Sequence, residues 1–145
     1  MGGMGGMFDA YGRLMVDDLI PYVDKNFRTI ADKDHRAMSG LSMGGMTTHS
    51  VTLANPDVFG YAGLFSGGTF TAAEVTGNEK FKQNVKVLYM SYGSVEGGAG
   101  STKAAADALN QAGTYAVAYT SPGTAHEWQS WRRSLYGFAQ LLFRD

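Results

Sequence analysis

The spacing of apolar residues changes period several times along the chain, and each change marks an element. Between Tyr11 and Phe27, Met15, Leu19 and Val23 fall on one stripe, with Val16, Ile20 and Phe27 beside it. That spacing predicts a helix, kinked where Pro21 interrupts it. Residues 34–41 read as a short strand running into a glycine turn. Residues 43–54 read as a helix stopped by Asn55-Pro56. A second strand is predicted over 60–65, closed by Ser66-Gly67-Gly68. The clearest strand covers 85–92, where Val85, Val87, Leu88, Tyr89 and Met90 are nearly continuous. Ser101 is placed to cap a helix through Ala112 with Gly113 as its stop, and 114–120 forms a fourth strand. Trp128, Trp131, Leu135, Phe138 and Leu142 share one face of a final helix, which predicts core packing for both tryptophans. Alternation of this kind predicts an α/β fold: a mainly parallel sheet of about four strands flanked by helices.

The opening seven residues repeat a Gly-Gly-Met unit. Glycine is costly to order, so residues 1–10 are expected to be a flexible segment and 11–145 a single domain. A phosphate cradle there would need a following Lys-Ser/Thr, which is missing. At 145 residues the chain is long enough for one core. Its 44% hydrophobic and 17% charged residues describe a globular chain. A net charge of −1 gives no sign of a nucleic-acid or anionic-membrane partner. The absence of cysteine excludes disulfides, thiolate metal sites and a cysteine nucleophile. No His/Asp/Glu cluster has metal-ligand spacing, and no cofactor is expected. No apolar run is long enough to span a bilayer, and the opening lacks the pattern of a secretory signal.

The chemistry is concentrated in Gly40-Leu41-Ser42-Met43-Gly44, which fits G-x-S-x-G between a predicted strand and a predicted helix. In such an elbow the serine sits on a strained turn and projects its hydroxyl above the sheet. The flanking glycines let strand and helix backbones approach closely. The helix N-terminus adds positive partial charge, and the Met43 N–H is the first oxyanion donor. The competing interpretation is a glycine-rich turn with an incidental serine.

A nucleophilic serine needs a base and an acid, in the chain order Ser, acid, His. His35 precedes Ser42 and is expected at the surface. His49 lies on the following helix, about two turns away from the elbow. His126 follows the fourth strand, in the loop 121–126, where ligands meet parallel sheets, and is the candidate base. Glu96 follows the third strand in Gly93-Ser94-Val95-Glu96 and is the candidate acid, orienting His126. Asp107, inside a predicted helix, is its rival, and Glu127 is expected to be exposed.

Gly40 to Gly45, preceded by His35-Arg36-Ala37-Met38-Ser39, resembles the esterase D-type branch of the α/β-hydrolases. The resemblance is closest to the feruloyl and acetyl-xylan esterases of carbohydrate esterase family 1. Asp18-Leu19-Ile20-Pro21-Tyr22-Val23, Phe65-Ser66-Gly67-Gly68, and the stretch from Ser121 through His126 to Arg133 agree with it. It implies Ser42 as nucleophile, His126 as base and Glu96 as acid, where many members carry Asp. It also implies a partial α/β-hydrolase domain, its C-terminal half, with strands matching the fifth to eighth of the full fold. The loop normally supplying the second oxyanion N–H lies upstream, so its source is open. The strand over 36–41 should then lie on an open edge, covered by a partner chain or a second copy. The implied function is hydrolysis of feruloyl or acetyl esters on polysaccharide through an acyl-enzyme, by a secreted or periplasmic protein. The alternatives are a non-catalytic interaction fragment and an acyltransferase. Trp128 is the better tryptophan for lining an acyl pocket. Gly67 could let substrate approach the backbone, or could simply make a tight turn. Arg132 and Arg133 are expected to be solvated or salt-bridged.

Overall fold

The computed structural model describes residues 3–144. Its centre is a four-stranded parallel sheet in the order β1 (Ala37–Leu41), β2 (Tyr61–Phe65), β3 (Val87–Gly93), β4 (Ala116–Ser121). Each strand returns through helical connections: α3 (Met43–Ala54), α4 (Ala72–Gly77) with α5 (Glu79–Asn84), and α6 (Ser101–Gln111). A final helix, α7 (Trp128–Ala139), covers the opposite face.

Alternation along the strands divides the core in two. Ala62, Leu64, Leu88, Met90 and Ala116 pack with Phe70, Phe81 and Leu109 on one face. Tyr61, Phe65, Val87 and Tyr89 pack with Phe138 on the other. The register agrees, pairing Ala62 with Leu88 and Leu88 with Ala116, and Tyr61 with Val87. Among the described residues, β1 is an edge strand with no neighbour on its outer side.

The helix before the elbow differs from expectation in two ways. It begins at Met4, where a flexible segment was expected, as α1 (Met4–Arg13); Met1 and Gly2 lie outside the described residues. Met4, Met7, Phe8 and Tyr11 carry helical spacing through the glycines, and buried Phe8 and Gly12 anchor the turn, with Gly12 facing Val51 of α3. Ahead of Pro21 the chain runs through a π-helical stretch, Leu14–Leu19, and stays helical into α2 (Ile20–Asn26). Pro21 lies inside this helical run, and the irregularity it imposes takes the form of the wider turn just upstream, where the Ile20 N–H reaches back to the Met15 carbonyl.

The final helix is shorter on its apolar face than the sequence pattern suggests. Phe138 is fully buried and Trp131 half-buried, but Trp128 is 72% exposed and Leu135 52% exposed. Core packing of Trp128 is therefore corrected: its side chain lies toward the open flank beside β1, where nothing described covers it. Ser101 is the first helical residue of α6, not its cap, and its hydroxyl bonds back to the Gly98 carbonyl. Gly113 ends the helix with φ +86°, as expected of a left-handed stop.

Candidate active site

Every group of the site stands at the C-terminal end of a strand. Ser42 follows β1 with φ 51° and ψ −122°, a conformation that non-glycine residues avoid. Its backbone N–H donates to the Phe65 carbonyl at 2.8 Å, tying the elbow to β2. A Cβ at Gly40 would overlap the Gly44 backbone, so the tight strand-to-helix crossing requires glycine there. The Met43 N–H lies in the first turn of α3, where backbone donors have no intrahelical partner.

The Ser42 hydroxyl lies 2.9 Å from His126 Nε2, and His126 Nδ1 lies 2.7 Å from Glu96 Oε1. Ser42 and His126 are 84 residues apart in sequence, so this line exists only in the folded chain. Glu96 Oε2 accepts the Gly93 N–H at 2.6 Å and the Ser66 hydroxyl at 2.7 Å. The Glu96 side chain is 9% exposed, whereas that of His126 is 51% exposed. Burial would raise the Glu96 pKa, but hydrogen bonds from Gly93, Ser66 and His126 outweigh it and hold the carboxyl below its ordinary value. The acid is thereby kept ionised deep in the site, and the histidine remains reachable by solvent.

Two loops are tied to one another to make this geometry. Ser94 N–H donates to the Ser121 carbonyl at 2.8 Å and Val95 N–H to Thr124 at 3.0 Å. Gly123 N–H donates to the Ser94 hydroxyl at 2.8 Å. A side chain at Gly93 would strike the Thr124 and Ala125 carbonyls, so glycine is what lets the loops close. Arg133 donates to the Ser121 hydroxyl and the Pro122 carbonyl, both at 3.1 Å, and so braces the histidine loop through hydrogen bonds.

The remaining sequence candidates fall elsewhere. Asp107 pairs with Lys103 on the exposed surface of α6 at 2.6 Å. His35 bonds Asp32, and His49 pairs with Glu74 at 3.2 Å while packing on Phe70. Gly67 borders an open cavity with Met46, His49 and Gly68. The space its side chain would take is filled by Gly45 and the Ser42 carbonyl, so close packing of the elbow requires glycine there. Trp128 borders an open cavity of about 270 Å³ together with Leu41, Phe65 and Trp131. Sequence reasoning missed Ser66, Gly93 and Ser94 as members of the site. Their one visible signal is position, just at or past strand ends beside glycines.

The family described as "Putative esterase" matches residues 2–94. The chain is 46% identical over 136 residues to an endo-1,4-beta-xylanase/feruloyl esterase of Xylanibacter ruminicola, covering 94% of this chain and 18% of that protein. Among solved structures it is similar to a feruloyl esterase module from Clostridium thermocellum complexed with sinapinate. The TM-score is 0.77 at 17% identity, over 94% of this chain and 59% of that one. It is also similar to the S-formylglutathione hydrolase of Staphylococcus aureus, with a TM-score of 0.65 at 18% identity, over 95% of this chain and 64% of that one. This chain thus spans less than two thirds of the length of these relatives, and it belongs to the esterase family whose description it matches.

Proposed function

We propose that this chain carries the nucleophile, base and acid of a serine carboxylic-ester hydrolase. The observation that supports it best is the continuous line from the Ser42 hydroxyl through His126 to Glu96, at 2.9 and 2.7 Å. Ser42 Oγ attacks the ester carbonyl carbon while His126 Nε2 takes its proton. The Met43 N–H donates to the oxygen that becomes negative. Collapse of the tetrahedral intermediate breaks the bond to the alcohol, which leaves with the proton from His126, and the acyl group remains on Ser42. Water then attacks the acyl-enzyme with His126 again as base, releasing the carboxylic acid and restoring Ser42. Glu96 holds the imidazole in place and stabilises its protonated form.

The substrate class we propose is a feruloyl or acetyl ester on polysaccharide, with the protein acting outside the cytoplasm. The feruloyl ester is supported by the similarity to an endo-1,4-beta-xylanase/feruloyl esterase and to a feruloyl esterase module. The open edge of β1 calls for a covering partner, either a second copy or further esterase chain. If that partner also supplies the second oxyanion donor, its loss should cost about 10²–10³ in turnover.

A fluorophosphonate probe should label Ser42 and should not label Ser42→Ala. An unlabelled wild-type chain would sink the catalytic reading in favour of an interaction fragment. Light scattering on the same sample should give a species larger than the monomer. A stable monomer with full serine-dependent turnover of an activated ester would remove the need for a partner.

A further inference from the structure

We infer that Ser66 and Trp131 are positioning residues: the Trp131 N–H holds the Ser66 hydroxyl, and that hydroxyl holds Glu96 in the rotamer that meets His126. The inference deepens the esterase reading and rests on it for its kinetic consequences.

The direction of this chain of hydrogen bonds follows from donor inventory alone. The indole of Trp131 can only donate, and its Nε1 lies 3.0 Å from Ser66 Oγ. An ionised carboxylate can only accept, and Glu96 Oε2 lies 2.7 Å from the same oxygen. Ser66 has one proton, so it must accept from Trp131 and donate to Glu96. Each bond polarises the next in the same sense.

The backbone at Ser66 gives an independent argument. Ser66 has φ 50°, a left-handed conformation that glycine adopts freely and serine does not. The next two residues are glycines, so a third would fit the turn with less strain. What serine supplies that glycine cannot is the hydroxyl, and that hydroxyl is spent on Glu96. The residue is 8% exposed, and its N–H is fixed to the Ser91 carbonyl at 2.8 Å, so its place does not wander.

The need for such a hold comes from side-chain length. Glutamate has one more rotatable bond than aspartate, and confining it costs additional rotamer entropy. Gly93 N–H and Ser66 Oγ together occupy Oε2, which leaves Oε1 to face His126. Trp131 touches the other end as well: its ring stands perpendicular to the His126 ring, with centroids 4.9 Å apart. One indole thus contacts the histidine directly and the acid through Ser66.

The test is Ser66→Ala and Trp131→Phe, each assayed on an activated ester and each titrated by carbon-13 NMR. The Glu96 carboxyl signal is assigned by its loss in Glu96→Gln. Ser66→Ala should lower kcat about tenfold or more, the ratio expected for one hydrogen bond to a charged group. KM should hold, and the Glu96 titration midpoint should move to higher pH because its charged form has lost a donor. Trp131→Phe should move both quantities the same way by less. If Ser66→Ala does not fold, Ser66→Gly removes the same hydroxyl where glycine is unstrained. An unmoved Glu96 midpoint in the folded hydroxyl-less variant overturns the inference, whatever happens to turnover. Absence of any Ser42-dependent turnover would instead count against the esterase reading, and the carboxyl titration would still decide the role of Ser66.

Discussion

The two flanks of the sheet are built to different standards. On the β3–β4 side, the loops carrying Glu96 and His126 are joined by backbone and side-chain hydrogen bonds, above the almost fully buried β3 and the half-buried edge strand β4. On the β1 side, the strand that presents Ser42 has no outer neighbour, and Trp128, Leu135, Met7 and Met43 beside it stand largely exposed. The proposed acid and base thus sit on loops tied directly to one another, whereas the turn carrying the proposed nucleophile is tied to the rest through β2, α3 and the helix before it. The lesson is that a Ser-His-Glu line can be firmly held on a sheet whose edge stays open.

The largest effect that bears on this contrast lies on the tied flank. Glu96→Gln should reduce turnover of an activated ester by about 10³–10⁴-fold with the fold intact, since it leaves the imidazole without an ionised partner. Asp107→Asn, on the surface of α6, should leave turnover unchanged. Reversal of those two outcomes would move the acid to another element.

Packing offers a second way to sharpen it. Leu88, wholly buried in β3, should cost about 2–5 kcal/mol when cut to alanine. Leu135→Ala, on the exposed flank, should cost about 0.5 kcal/mol or less in the isolated chain. Chemical denaturation of both variants measures the difference. Equal costs would mean that Leu135 is covered in solution, as a self-associated species would cover it.

The smallest effect is electrostatic. The Glu96 pKa is lowered on folding from an ordinary value of 4.5, so its ionised form stabilises the native state above that pH. The contribution is lost as pH falls through the lower, folded value. The gap in thermal stability between the wild-type chain and Glu96→Gln should thus be constant at neutral pH and close only in acid. A gap that closes near neutrality would contradict the depressed value.

Much of the tied flank was legible in the sequence. Strand, glycine turn and helix around Ser42 have strong local signals, and chain order alone brings Glu96 and His126 to the same end of a parallel sheet. What escaped prediction depends on contacts between distant segments. Glycines hid the start of α1 because local entropy argues for a loop, while the docking of Phe8 and Gly12 that overrides it is tertiary. Trp128 carries the same spacing as its buried neighbours, and only the position of the sheet edge decides that it faces out. Ser66 and Gly93 look like turn punctuation until the loops they join are seen together.

The four strands each deliver one group to the same place: Ser42 after β1, Ser66 after β2, Glu96 after β3 and His126 after β4. This arrangement ties function to the kinetics of folding. Parallel neighbours cannot form from adjacent segments, so every pairing must first close a long loop, and such contacts accumulate slowly. No partly folded chain with β4 undocked can hold His126 against Ser42. After dilution from denaturant, helical signal should return first, and the hydroxyl should become reactive toward an active-site probe only as the last strand joins the sheet. The chemistry of Ser42 then serves as a clock for the final step of folding.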